Sequence, residues 1–252
     1  MKEKILFIIL ILLIPSISFA QENPNASRGE ASAATYGSVV DFNSRYVWRG
    51  IALSEGAVMQ PSVSVSAFDF NFSVWSNIVL NNEVNQGKFN EADLILSYSR
   101  EWKKITIEPT VQFYLYPNQE DSPTTGEISL KVSYPVGPIH VFTSHAFDIV
   151  KYGGSYFGDA GVSYEYEFHS KLSMKTSLSL GWASSKFNDV YLGWPKSAFN
   201  VASGDLALTY YVKKFLYICP HLGFSALLYG ELRHQVENPT IANLGLAVGL
   251  EF

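Results

Sequence analysis

The sequence predicts an all-β fold: a transmembrane antiparallel up-and-down β-barrel of about twelve strands, occupying residues 36–252 as one domain. Three observations carry that prediction. From Tyr36 to the last residue the chain is a succession of period-2 segments with no sustained 3.6-residue period, so no helix is expected. The connections alternate in length, short at 67–70, 100–103, 135–138, 168–171 and 212–215 and long at 49–56, 81–89, 117–125, 151–155, 184–200 and 229–240, as in a barrel with turns on one rim and loops on the other. The apolar positions share one face of each strand and Ser, Thr, Asn, Gly and charged residues the other. An apolar outside around a polar inside inverts a soluble barrel. A two-sheet sandwich alternates similarly, but not with this regularity on every strand or with aromatics at both strand ends.

Residues 1–20 read as a signal peptide: a short basic start, an unbroken apolar run over 5–14, and small residues at Ser18 and Ala20 before a cleavage point near Gln21. The run is too short for a membrane anchor. Removing Lys2, Glu3 and Lys4 takes away one net positive charge, from −5 to about −6. No cysteine follows the cleavage point closely enough for a lipid anchor, and the single Cys219 excludes an intramolecular disulfide. Residues 21–35 are polar and aperiodic, a flexible periplasmic leader. Charged residues make up 16% of the chain against about 25% in soluble domains, and aromatics 15%, which fits a membrane barrel. A net acidic chain without a Lys/Arg cluster argues against nucleic acid.

Strands are expected near 36–48, 57–67, 70–80, 90–100, 103–116, 126–136, 138–149, 156–168, 171–183, 201–212, 215–228 and 241–252. Outward sets include Phe72, Val74 and Ile78 on the third, Leu94 and Leu96 on the fourth, Ile128, Leu130 and Val132 on the sixth, and Leu178, Leu180 and Trp182 on the ninth. Tyr46, Trp48, Tyr114, Tyr116, Tyr156, Phe157 and Trp182 form a belt at the loop rim. Phe68, Phe70, Tyr98, Trp102, Tyr134, Phe168, Phe215 and Phe252 form one at the turn rim. An even strand number puts both termini on the turn side, the periplasm. Pro61, Pro109 and Pro220 fall inside strands, where bulges are expected to absorb the lost ladder bonds. His140 and His145 fall on opposite faces of their strand.

The inward face receives Asp41, Arg45, Arg49, Glu91, Asp93, Glu108, Glu127, Lys131, Asp159, Glu165, Glu167, Lys175, Asp205 and His221. Acids outnumber bases, so a pore lined by them would mildly favour cations or neutral solutes. The same charges could instead pair and fill the barrel, since twelve strands lie between filled eight-stranded barrels and open porins of about 16–18 strands. The 184–200 connection, with Lys186, Asp189, Tyr191, Trp194 and Lys196, folds inward as a constriction or covers the outside. A hydrolase would need Ser144 with His140, or Ser225 with His221, to converge at a rim. The five histidines follow no metal-ligand spacing, and no cofactor is expected.

The last strand places Leu244, Leu246, Val248, Leu250 and the terminal Phe252 on one face. It resembles the closing strand of bacterial outer-membrane barrels, whose final aromatic is read by the barrel assembly machinery. The stretch Ser44-Arg45-Tyr46-Val47-Trp48-Arg49-Gly50-Ile51, with Gln60-Pro61-Ser62 and Asn90-Glu91-Ala92-Asp93-Leu94, resembles the TorF-like family of bacterial outer-membrane porins. The resemblance covers about the first third of the mature chain. It implies an outer-membrane barrel with a channel role and no defined substrate or catalytic residue. On this reading Tyr46 and Trp48 face lipid, while Arg45 and Arg49 line the pore mouth or are clasped by Glu91 or Asp93. The expected function is a passive channel for small solutes, exported to the outer membrane with lipid as its surroundings. The alternatives are a closed barrel with a receptor or structural role, and a lipid hydrolase.

Overall fold

The computed structural model describes residues 34–81 and 86–252. The predicted signal peptide and all but the end of the leader lie outside the described residues. The strands are β1 (Thr35–Asn43), β2 (Tyr46–Trp48), β3 (Ile51–Ser54), β4 (Val58–Ala67), β5 (Phe70–Val79), β6 (Phe89–Tyr98), β7 (Arg100–Trp102), β8 (Ile105–Leu115), β9 (Thr125–Val136), β10 (Ile139–Asp148), β11 (Tyr156–His169), β12 (Leu172–Ala183), β13 (Ala198–Lys213), β14 (Leu216–Leu227) and β15 (Thr240–Glu251), with helices α1 (Ser185–Leu192) and α2 (Gly230–Arg233). Each wall strand pairs antiparallel with its neighbour in sequence, β15 pairs with β1, and β6 pairs with β8, so the sheet closes on itself. β7 continues β6 beyond Ser99, leaving twelve staves among the described residues and two strands, β2 and β3, in a separate hairpin.

Closure is completed by the last residue. Tyr36 N donates to Phe252 O and Phe252 N to Tyr36 O, both at 2.9 Å, while the Phe252 ring stacks on Phe215 at 5.8 Å. Closing the sheet removes the free edges that would otherwise need partners. Two of the short turns, Phe68-Asp69 and Lys103-Lys104, have both central residues at positive φ, the twist that suits two-residue hairpins.

The faces follow the alternation. Leu94, Leu96, Ile128, Leu130, Leu178, Leu180, Leu244 and Leu246 are exposed on the outside, where lipid would cover them. At the short-turn rim Phe68, Trp102, Tyr134, Phe168 and Phe252 form an exposed belt. At the loop rim the belt differs from expectation. Trp182 Nε1 donates to the Tyr156 hydroxyl (2.8 Å), beside His145, Phe147 and Phe199 on the outside, but Tyr46, Trp48, Tyr114 and Phe157 point inward.

Three further expectations are corrected. The first predicted strand, 36–48, stops at Asn43, because the chain turns into the barrel and reverses at Arg49-Gly50, both at positive φ (50° and 81°). The proline strands carry no register shift at their prolines. Pro61, Pro109 and Pro220 each stay paired on one side, with Val40, Leu130 and Leu246, and sit at a gap in the ladder on the other, so register survives the missing N–H. Helix is present: Ser184 caps α1 by accepting from Phe187 N (3.2 Å), and Gly193 ends it at φ 64°.

Candidate functional site

The interior divides into two levels. At the loop end the β2–β3 hairpin crosses the lumen. Tyr46 packs on Trp75 of β5 with ring centroids 5.4 Å apart, and Trp48 meets Tyr114 of β8 (6.4 Å) and, from α1, Phe187 (5.7 Å) and Tyr191 (5.0 Å). Arg49 forks onto Glu127 of β9, Nη1 to Oε1 at 2.8 Å and Nη2 to Oε2 at 2.6 Å, and its guanidinium lies 4.8 Å from the Phe157 ring centroid of β11. Tyr114 donates its hydroxyl to the same carboxylate at 2.9 Å. The two-residue turn is tight enough that a Cβ on Gly50 would come within 2.6 Å of Val201 Cγ2 on β13. One hairpin thus touches wall strands on opposite sides of the barrel.

Helix α1 closes the same level. Phe187 is fully buried against Phe157, Ala183, Val201 and Leu227, an apolar cluster inside the barrel that is larger than the one formed by Val39, Ala207, Cys219 and Ala247. Asn188 and Asn200 exchange amide hydrogen bonds (2.6 and 3.3 Å) that fix the helix to the start of β13. Of the two expectations for the 184–200 connection, the inward one holds. Outside the spanning strands, Lys196 Nζ donates to Glu231 Oε2 at 2.6 Å and Trp194 Nε1 to the same oxygen at 3.1 Å. The Lys196 hydrogen bond holds the Glu231 carboxyl below its ordinary range and raises the lysine in return.

At the level of the hairpin, a polar chain runs round the wall. His221 on β14 contacts Asp41 on β1 at 2.9 Å, Asn43 donates to Asp41 and Gln60, Gln60 to Asn77, and Asn77 to Asn90, each at 2.7–3.1 Å. The amides of this chain were absent from the sequence-predicted site. Inward parity was the available signal for Asn43, Gln60 and Asn77, whereas Asn90 has the parity of Leu94 and Leu96 and meets Asn77 only through the irregularity in the β5–β6 ladder. At the short-turn end a cavity of about 590 Å³ opens between the strand ends, lined by Ser64, Ser97 and Ser173 and by Glu108, Glu165 and Glu167.

The predicted inward residues therefore separate. Glu108, Glu165 and Glu167 line the open cavity. Lys131 lies across the ladder from Glu108, and Lys175 from Glu165. Asp41 is held by His221 and Asn43, and Asp205 accepts from Ser177 at 3.1 Å. Glu91, Asp93 and Glu127 are buried at the hairpin level. Arg49 is clasped as one alternative foresaw, but by Glu127 rather than Glu91 or Asp93. Arg45 lies in the hairpin connection rather than on a wall strand and pairs with Glu55 at 3.3 Å. The serine–histidine pairs do not converge: Ser144 and His140, like Ser225 and His221, are four residues apart on one strand, about 13 Å at a strand's rise.

A closed antiparallel barrel, apolar outside and polar inside, is the architecture of porins. The chain belongs to a bacterial protein family of unknown function (Gcw_chp), which it matches over residues 27–180. Among solved structures it is similar to a NanC porin, with 15% identity over 85% of this chain and 98% of that one at a TM-score of 0.56. It is also similar to a KdgM porin in complex with disordered oligogalacturonate, with 11% identity over 87% and 99% at a TM-score of 0.53. At these identities the likeness is one of fold.

Proposed function

We propose that the protein is an outer-membrane channel for passive diffusion of small hydrophilic solutes, neutral or cationic, and that its role is not catalytic. The observation that carries this reading is the serine- and glutamate-lined cavity entering the lumen from the short-turn rim. A wall of hydroxyls and carboxylates solvates polar solutes, and its field favours cations over anions. The porin fold of the similar structures and the resemblance of the 44–51 stretch to TorF-like porins support the same location and role. On this reading the pore is lined by Glu108, Lys131, Glu165, Glu167, Lys175, Asp205 and Asp41, while Arg45, Arg49, Glu91, Asp93 and Glu127 belong to the constriction. Phe252 is the residue the assembly machinery would read, and lipid surrounds the apolar exterior.

A second reading, a closed barrel with a receptor or structural role, is favoured by the hairpin and α1 packed across the outer half. Single-channel recording of the refolded protein in a planar bilayer under a salt gradient separates the two. Discrete steps with a cation-favouring reversal potential are expected. Silence from folded protein would replace the channel with the closed barrel.

A further inference from the structure

We propose that Glu91 and Asp93 form a calcium-binding site in the barrel wall beside the β2–β3 hairpin. The two residues alternate on β6 and so share its inner face, and each is only 4% exposed. Neither lies within ion-pair distance of a lysine, arginine or histidine among the described residues, whereas the other buried wall glutamate, Glu127, is neutralised by Arg49. Tyr46 of the hairpin donates its hydroxyl to Glu91. Gln112 Nε2 donates to Asp93 Oδ2 at 2.8 Å, and Asp93 Oδ1 is buried with no hydrogen-bond partner. Two desolvated carboxylates side by side, one with an unused oxygen, lack a counter-charge, and burying such charges unpaired is strongly unfavourable.

The chemistry of the missing partner follows from the donors. They are hard oxygens, those of the two carboxylates, toward which Gln112 turns its amide nitrogen and Tyr46 its hydroxyl. No imidazole or thiolate is available at the site to select zinc or copper. A divalent ion balances the pair, whereas sodium would leave one negative charge. Magnesium keeps several waters in a strict octahedron, whereas the Asp93 oxygen is buried, and calcium accepts irregular oxygen sets. The bound ion would join β6 to the hairpin through Tyr46, making the closure of the outer half calcium-dependent. Nothing in this depends on whether the lumen conducts.

The test uses the full-length refolded protein, stripped with a chelator and titrated calorimetrically with calcium chloride, then heated with and without the ion. One equivalent is expected to bind, with a rise in the unfolding midpoint and at least tenfold weaker binding of magnesium. The isosteric double variant Glu91→Gln/Asp93→Asn should lose the calcium response, and Glu120→Gln/Asp121→Asn in the 116–124 loop should keep it. If the double variant does not fold, Asp93→Asn alone answers the same question, because its amide can still pair with Gln112. Absence of saturable binding to the wild type would overturn the proposal, as would equal binding by wild type and variant. So would stabilisation of the wild type by acid with no response to calcium, since the pair would then be neutralised by protons.

Discussion

The two halves of the lumen are built from the same strands yet have opposite contents. Near the short turns the inner positions include Gly37, Ser64, Ser66, Ser97 and Ser173, small residues that leave a cavity lined also by the glutamates and by the packed pair Tyr211 and Tyr217. Near the long loops the chain itself fills the barrel, with Tyr46, Trp48 and Arg49 entering from one side and Phe187 from another. Strand number sets the diameter available, but the aperture is decided by what the loops put into it. The two ends also differ in what holds them. The open end has the closed ladder and a small apolar cluster of Val39, Ala207, Cys219 and Ala247, whereas the filled end adds a buried ion pair and a larger apolar cluster that could be lost without opening the sheet.

The sharpest way to break this contrast is Arg49→Ala. It strands the buried Glu127 carboxylate with only the Tyr114 hydroxyl, at a cost of about 3–5 kcal/mol. The expected result is an undocked hairpin, read as new protease cutting between residues 44 and 57 and a higher single-channel conductance with the barrel still folded. Phe187→Ala empties a fully buried site and should cost about 3 kcal/mol, loosening α1 while leaving the short-turn end unchanged in hydrogen exchange. Gly50→Ala forces a side chain into a left-handed turn against Val201, and about 2 kcal/mol of destabilisation is expected in the unfolding midpoint.

At the open end, Glu167→Gln should leave stability nearly unchanged and move the reversal potential toward that of a non-selective pore, and adding Glu165→Gln should move it further with some loss of stability, because Lys175 then loses the carboxylate across the ladder. The smallest effect belongs to the outer loops. Lys196 depresses the folded-state pKa of Glu231, so the pair's contribution is present above the unfolded carboxylate's pKa and is lost as pH falls through the depressed folded value. Trp194, which donates to that carboxylate, should report the loss as a fluorescence change on acidification that Glu231→Gln abolishes.

The barrel itself was legible in the sequence. The parity of Leu244, Leu246 and Val248 against Asn243, Gly245 and Ala247 fixes which face is apolar, and the alternation of short and long connections fixes the order of the strands. Both are local signals, set by a two-residue period and by turn chemistry. The inward placement of Glu108, Glu165 and Glu167 follows from the same parity.

What the period could not decide is where a loop goes once it leaves the wall. Tyr-Val-Trp in 46–48 alternates equally well as the end of a lipid-facing strand or as a hairpin inside the barrel. The choice rests on contacts with Trp75, Tyr114, Glu127 and Val201, which lie about 30 to 150 residues further along the chain. α1 escaped for the same reason: eight residues are too few to establish a helical period, and only the Ser184 and Gly193 caps announced it. The sequence by itself determined a closed sheet and its faces, because alternation needs only neighbours. The tertiary structure decided which half is filled and which charges are paired, because Arg49 reaches Glu127 only when the barrel has brought β9 opposite the hairpin.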